Sequence, residues 1–158
     1  MHPSAQKVAD AAQQLGLDIE IVEFAQTTRS AQEAADAIGC DVAQIVKSLC
    51  FVVNGRSTIC FVSGANQLDE RKLAALAGVG RKQVQRADAD TVKAATGFSI
   101  GGVPPFGHIT AVPIFIDADL MQFDVVWAAA GTPFAVFACT PPDLAQVTQG
   151  QIADIRKS

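Results

Sequence analysis

Apolar and polar residues alternate along this chain with two different periods, which together predict a mixture of helices and strands. Apolar residues recur at helical spacing over residues 8–15. Residues 19–24 alternate strictly between apolar and polar, as is typical of a strand with one buried face. Ser30 and Glu33 then form a capping box, which predicts a helix that ends at Gly39.

Two apolar runs flank the dipeptide Asn54-Gly55, and this pattern predicts a β-hairpin with a type I′ turn. The runs are Leu49–Val53 and Thr58–Val62. A two-residue turn fixes the register, and that register places Cys50 and Cys60 on opposite faces of the sheet. We therefore expect that these two cysteines cannot form a disulfide.

The rest of the chain continues the mixed pattern. Further helices are predicted at residues 41–46, 69–77 and 88–96 and from Pro141 onward. Further strands are predicted at residues 83–85, 112–116, 125–130 and 134–139, the last two joined by a turn at Gly131-Thr132. Because strict βαβ alternation is absent, we expect a single α+β domain over residues 1–158. Its sheet should be curved, barrel-like, mixed but mostly antiparallel, and surrounded by helices.

Composition mainly excludes classes of protein. Of the 158 residues, 49% are apolar and 18% are charged, which is typical of a globular chain and not of a disordered one. No apolar run approaches the roughly 20 residues that span a bilayer, and the first residues lack the apolar part of a secretory signal. We therefore expect a cytoplasmic protein with no membrane contact. Four cysteines without a CxxC pair and only two histidines disfavour a metal site.

The net charge of −4 conceals a basic segment at residues 71–93, which carries +4 while the remainder carries −8. Such a segment can face the phosphates of a nucleic acid, or it can be a solvated helical face. Its basic residues are Arg71, Lys72, Arg81, Lys82, Arg86 and Lys93.

Lys47 is the first candidate for chemistry, because it lies within the apolar run Ile45–Val53. A cation so placed needs either water or an anionic or carbonyl partner. It could bind a phosphate, or donate to an ester carbonyl whose oxygen gains charge during attack. The alternative is a surface lysine at a helix C-terminus, where the helix dipole favours positive charge.

The second candidate is a loop rich in glycine and proline that ends at His108. Gly101 and Gly102 allow backbone N–H groups to approach a ligand closely, and Pro104 and Pro105 stiffen the end of the loop. This predicts a rigid ridge of exposed amides that suits a carbonyl or an oxyanion; an ordinary connecting loop is the alternative. His108 could act as a general base or bond to a nucleic-acid hydroxyl, or it could be a satisfied structural residue.

Both candidates lie in stretches that resemble motifs of the YbaK/ProX family, the editing domain associated with prolyl-tRNA synthetases. The stretches are Gln44–Leu49 and Gly97–His108, and the resemblance continues from Thr28 to Leu144. The family fold is a mixed α/β domain with a twisted, barrel-like sheet. No metal and no organic cofactor are implied.

The resemblance implies a hydrolase that acts in trans on the ester bond of mischarged tRNA, chiefly tRNA-Pro. The family's invariant lysine corresponds to Lys47, which becomes the catalytic residue, and its G-x-x-x-P loop corresponds to Gly101–Pro105. In the family the nucleophile is usually thought to be water, assisted by a substrate hydroxyl, so no Ser-His-Asp arrangement is needed. Positioning and electrostatics then carry the rate.

From this resemblance we assign three sets of residues. The catalytic residue is Lys47. The predicted substrate-binding residues are Gly101, Gly102, Val103, Pro104, Pro105, His108, Ala130 and Gly131. The predicted tRNA-binding residues, which would meet the acceptor stem, are Arg71, Lys72, Arg81, Lys82 and Arg86. The partners implied are the acceptor end of tRNA and a prolyl-tRNA synthetase, and the oligomeric state is left open.

One position departs from the family pattern. Several relatives have a serine before the Ala-Gly of the last hairpin, and here Ala129 precedes Ala130-Gly131. The missing hydroxyl argues against the cysteine-specific type and favours a small wrong amino acid such as alanine, serine, threonine or a similar non-protein residue. Two other functions remain open: a non-catalytic module that binds tRNA or a synthetase, and a small-molecule hydrolase with the same pocket.

Overall fold

The computed structural model describes residues 1–25, 28 and 30–158. The helices of the described residues are α1 Pro3–Gln14, α2 Ala31–Ile38, α3 Glu70–Ala77, α4 Ala89–Thr96 and α5 Pro141–Thr148. The strands are β1 Ile21–Glu23, β2 Val46–Val53, β3 Arg56–Ser63, β4 Val84–Arg86, β5 Ile114–Asp117, β6 Val126–Ala129, β7 Ala135–Cys139 and β8 Gln151–Ala153. Short 3-10 helices lie at Val42–Gln44, Arg81–Gln83 and Ala118–Gln122. None of the described helices is long and apolar enough to cross a lipid bilayer.

The strands form two sheets of unequal size. The smaller has the order β1-β7-β6 and is antiparallel throughout. The larger has the order β4-β2-β3-β5-β8, in which β4, β2 and β3 pair antiparallel while β5 and β8 are added in parallel. The prediction of a mixed, mostly antiparallel α+β fold is confirmed.

The prediction of one barrel-like sheet is not confirmed. Strand β7 pairs with β6 on one side and with β1 on the other, so within the described residues these three strands form a separate sheet. An isolated parallel bridge between Ile45 and Trp127 joins this sheet to the strand that begins directly after Ile45. Among the described strands the sheet therefore does not close.

The predicted hairpin of β2 and β3 is confirmed in its register and its turn. Cys50 is opposite Ile59, as the two-residue turn requires. Asn54 has φ of 50° and Gly55 has φ of 80°, the positive values that a type I′ turn needs. Cys50 and Cys60 pack against different core clusters on the two faces of the sheet, and both are free thiols.

The helix predicted at residues 41–46 is wrong beyond its first turn. Asp41 caps a 3-10 helix that ends at Gln44, and the backbone is already extended at Ile45. Val46 begins β2 and is paired with Ser63, because this apolar, β-branched run finds a long-range partner in β3. The alternative interpretation of Lys47 as a lysine at a helix C-terminus is therefore wrong, since Lys47 lies in a strand.

The loop after α4 is part of the largest core cluster. Val103 and Phe106 are buried in it, together with Val8 of α1, Phe61 of β3 and Phe137 of β7. A second cluster fills the other face of the larger sheet, under α3, and a third lies beneath α2. The larger sheet, α1 and the β6–β7 hairpin thus hold the Gly- and Pro-rich loop in a fixed place.

Candidate active site

A cavity of about 380 Å³ lies where β2, the start of α2, the turn at Gly101 and the β6–β7 hairpin meet. Lys47 and Gly101 both line it, so the structure brings the two sequence motifs together. The volume lies within the range of roughly 300–1,000 Å³ that small-ligand sites occupy.

Lys47 enters this cavity from β2, where it is paired with Val62 of β3. The half-buried side chain donates a hydrogen bond from Nζ to the backbone carbonyl oxygen of Asn66. Burial lowers the pKa of Lys47 below its ordinary value, and the positive charge of Arg86 lowers it further, while the Asp117 carboxylate opposes both. The cation in the apolar run thus has the carbonyl partner that its sequence context requires.

Behind Lys47 lies a set of polar side chains that no sequence motif indicated. The Asn66 amide donates to Oδ2 of Asp117 at 2.8 Å and to Oδ2 of Asp119 at 2.9 Å. Arg156 lies 3.1 Å from Asp119 in an ion pair. Within the described residues no group of three or more His, Cys, Asp or Glu side chains could hold a metal ion.

Arg86 is the second cation at the cavity. It lies on β4, and its guanidinium carbon is 5.4 Å from the ring centroid of Phe51 on the neighbouring strand, within cation–π range. Lys47 and Arg86 also line an adjoining cavity of about 310 Å³, together with Lys157. Two cations at one edge create a positive potential suited to a phosphate or to a developing oxyanion.

The other predicted tRNA-binding residues lie elsewhere. Arg71 and Arg81 line a separate open cavity of about 640 Å³. Lys72 donates to both carboxylate oxygens of Asp154 at 3.0 and 3.1 Å, and Lys82 is an exposed residue of the 3-10 helix before β4. Of the predicted tRNA set, only Arg86 is among the described residues that line the cavity of Lys47.

Gly101 is the part of the predicted loop that reaches the cavity. The amide of Gly102 donates to the carbonyl of Ser99 at 3.0 Å, so Gly101 is the third residue of a β-turn. Its φ of +89° is the value that a type II turn demands at this place, and glycine adopts it without strain. Gly101 is also exposed, so its backbone can approach a ligand.

The rest of the loop does not form the predicted ridge of exposed amides, because residues 102–105 are buried. The amide of Gly131 donates to the carbonyl of Gly102 at 2.9 Å, and a Cβ on Gly102 would lie 2.8 Å from the Gly131 backbone. A Cβ on Gly131 would in turn collide with the backbone of Ser4. These glycines allow two backbones to touch each other, so the prediction of an exposed ridge is wrong beyond Gly101.

Two side chains tie this buried loop in place. Ser48, which comes directly after Lys47 and also lines the cavity, donates from Oγ to the carbonyl of Val103 at 2.8 Å. His108 contacts the carbonyl of Pro104 from Nε2 at 2.6 Å, and since a carbonyl only accepts, that nitrogen carries the proton. Burial lowers the pKa of His108, which keeps the ring neutral. His108 is not among the described residues that line the cavity, so the geometry favours its structural alternative.

Small apolar side chains form a further part of the cavity lining, which we call the apolar wall. Ala31 and Ala34 of α2 and Ala129 of β6 line it, and Trp127 completes it. Ala130 is fully buried behind the wall, where its amide donates to the carbonyl of Ala135 at 2.9 Å. The hairpin thus presents Ala129 to the cavity, whereas the predicted Ala130 and Gly131 support it from behind. Sequence reasoning does not find Trp127, because a lone tryptophan in a strand pattern gives no functional signal.

Known proteins share this arrangement of elements. The sequence profile of the aminoacyl-tRNA editing domain matches residues 25–147. The crystal structure of a candidate trans-editing enzyme for prolyl tRNA synthetase is 43% identical, with a TM-score of 0.94 over 100% of this chain and 99% of that one. A candidate Cys-tRNA(Pro)/Cys-tRNA(Cys) deacylase, EbsC of Enterococcus faecalis, is 29% identical over 80% of this chain and 76% of its own length.

The same domain also occurs within a larger enzyme. The proline–tRNA ligase of Shouchella clausii is 35% identical over 102 residues, which are 65% of this chain and 18% of the ligase. The aligned segment is thus a small part of that synthetase. This chain belongs to the aminoacyl-tRNA editing domain family, of the YbaK/ProX type.

Proposed function

We propose that this protein is a trans-editing deacylase that hydrolyses the ester bond of mischarged tRNA, with tRNA-Pro carrying a small wrong amino acid as its substrate. The observation that carries the proposal is the shared cavity of Lys47 and Gly101, with Arg86 beside them, in a chain of the editing family. Similarity to a trans-editing candidate and to a proline–tRNA ligase supplies the link to the proline system. Charged tRNA is used in translation, so we expect the protein to act in the cytoplasm.

The chemistry proposed is attack by water. The water oxygen bonds to the ester carbonyl carbon, and the electron pair of the C=O double bond moves to its oxygen. When the carbonyl re-forms, the bond to the ribose oxygen breaks, and that oxygen takes the proton that the water has lost. Lys47 and Arg86 would stabilise the transient oxyanion or the adjacent phosphate, and the Gly101 backbone would orient the ester.

The lining residues support water, and not a side chain, as the nucleophile. Four of the described hydroxyl residues line the cavity, and each makes a hydrogen bond within the protein. Ser48 donates to the carbonyl of Val103, and Thr28 donates to the carbonyl of Pro133 at 3.0 Å. Ser30 accepts the N–H of Glu33 as a helix cap, and Thr132 accepts the N–H of Phe134. No histidine, cysteine or carboxylate is among the described lining residues, and the Nζ of Lys47 donates to the Asn66 carbonyl, not to a hydroxyl.

The apolar wall supports a small substrate side chain. Ala31, Ala34 and Ala129 contribute only methyl groups, which leave room for a compact aminoacyl group and offer it no hydrogen bond. By the resemblance to the family, Ala129 stands where several relatives have a serine, and the missing hydroxyl argues against the cysteine-specific type. We therefore place alanine first among the candidate amino acids, before serine and threonine.

Single-turnover deacylation of a tRNA-Pro panel tests the proposal. The panel carries alanine, serine, threonine, cysteine or proline, and it is measured with and without a prolyl-tRNA synthetase. We expect alanine to be released fastest and proline to be spared. Binding of every substrate without cleavage would instead identify a non-catalytic tRNA module. Equal cleavage of free alanyl esters and of alanyl-tRNA would identify a small-molecule hydrolase.

A further inference from the structure

We infer that Asn66 and Asp117 are positioning residues for Lys47, which hold its ammonium group at the cavity edge and keep it charged there. The inference deepens the proposed function, because it concerns the same lysine, but it is carried by contacts that lie outside the cavity. Neither residue is among the described residues that line the 380 Å³ cavity.

Asn66 connects the ammonium group to two carboxylates. Its backbone carbonyl accepts the hydrogen bond from Nζ of Lys47. Its side-chain nitrogen uses both hydrogens, one toward Asp117 at 2.8 Å and the other toward Asp119 at 2.9 Å. With the amide fixed at two points, the Asn66 carbonyl has little freedom to move away from the lysine.

Asp117 is the fixed end of this chain of contacts. The side chain is 1% exposed, at the junction of β5 and the 3-10 helix Ala118–Gln122. Besides the Asn66 amide, it accepts the backbone N–H of Ser63 at 3.1 Å and that of Asp119 at 3.0 Å. A buried carboxylate of this kind is costly unless it is hydrogen-bonded and has a positive charge nearby. The positive charge near Asp117 is that of Lys47, which is joined to it by way of Asn66. Arg156 forms an ion pair with the neighbouring Asp119.

Apart from Asp117, the surroundings of Lys47 favour its neutral form. Burial and Arg86 both lower its pKa, and Asp117 is the group that raises it. Glu70 of α3 and Lys157 of the C-terminal segment, which are of opposite sign, line the adjoining cavity with it. Removing the charge of Asp117 therefore leaves the lowering contributions unopposed, and the pKa of Lys47 must fall.

Asp117→Asn tests the inference, with Asp88→Asn as its matched control. Asp88 also caps a helix through its side chain, but it is exposed at the N-cap of α4 and is not among the charges that shift the pKa of Lys47. The pKa of Lys47 is measured by NMR of the 13C-dimethylated protein and assigned with Lys47→Arg. We expect Asp117→Asn to lower the pKa of Lys47 and Asp88→Asn to leave it unchanged. We also expect kcat to fall about tenfold with KM within about twofold, and the alkaline limb of the pH–rate profile to move to lower pH.

Asn66→Ala gives a second test if Asp117→Asn does not fold, since it keeps the backbone carbonyl and removes only the amide bridge. A smaller shift of the same sign is expected. A folded Asp117→Asn protein, or failing that a folded Asn66→Ala protein, with an unchanged Lys47 pKa would overturn the inference. If the wild type cleaves no aminoacyl-tRNA while the pKa still responds, then the proposed function fails and the positioning role stands.

Discussion

The two sides of the 380 Å³ cavity are built by different means. On the polar side, Lys47 is held by a carbonyl that is itself fixed by a buried amide and carboxylate, and Arg86 lies against an aromatic ring. On the apolar side, Ala34 and Ala129 line the cavity with methyl groups, which offer no hydrogen bond to orient a ligand. If the proposed function is right, the polar side binds the ester and phosphates that every aminoacyl-tRNA has in common, and the apolar side contacts the amino acid side chain, which differs between substrates. Catalysis and selection should therefore be separable by mutation.

The strongest test of this division is Lys47→Ala, which removes the polar side's central group. Loss of a cation at a developing oxyanion should lower kcat/KM by about 10²–10³-fold for every mischarged tRNA that the protein accepts. Single-turnover deacylation measures the loss, and circular dichroism checks that the fold remains, as expected for a half-buried charge replaced by a methyl group. Lys7→Ala, at an exposed position of α1, is the matched control. An unchanged rate would remove Lys47 from the site.

The selection side is tested by Ala129→Ser, with a smaller effect. The new hydroxyl would face the cavity, where it can accept or donate a hydrogen bond to a polar side chain of the substrate. We expect the ratio of kcat/KM for cysteine over alanine to rise about three- to tenfold, which corresponds to one modest hydrogen bond. The deacylation rates of Cys-tRNA-Pro and Ala-tRNA-Pro measure it.

Ala130→Ser is the internal control for that change, because Ala130 lies behind the wall and its substitution should cost stability without altering the preference. Equal ratios in Ala129→Ser and the wild type would mean that the apolar wall does not select the amino acid. The assignment of selection to the apolar side would then be wrong.

Local sequence rules predict most of the elements but not the arrangement behind Lys47. Asn54-Gly55 predicts both the turn and the register of its hairpin, because two residues with positive φ leave one solution. By contrast, Asn66 and Asp117 are 51 positions apart, and only the parallel pairing of β3 with β5 brings their chain segments together. No local pattern indicates such a pair.

The same limit explains the errors in the predicted site. A glycine pair has one sequence signature whether it approaches a ligand or another backbone, and the contact of Gly102 with Gly131 depends on tertiary packing. The helix predicted at Val46 is wrong for a similar reason, since the strand partner of Val46, Ser63, is distant in sequence. Lys47 becomes a candidate from the sequence because an unpartnered charge in an apolar run is conspicuous before folding, but its assignment as the catalytic residue comes from the resemblance to the family.

Substitutions of His108 should have the smallest effect on deacylation, because His108 does not line the cavity. Its role is to hold the loop on which Gly101 lies. His108→Phe leaves the buried carbonyl of Pro104 without its donor and should lower the free energy of unfolding by about 1–2 kcal/mol. His108→Gln, which keeps an N–H donor, should lose less.

Because burial lowers the pKa of His108, the unfolded chain takes up a proton that the folded one does not once the pH falls below about 6.5. Wild-type stability is therefore full above that pH and declines as the pH falls toward the folded pKa, and His108→Gln should lack this part of the decline. Urea unfolding at several pH values measures both effects. A His108→Phe protein with wild-type stability but no deacylation would instead show that the His108 ring acts directly at the ester, and His108 would then belong to the polar side.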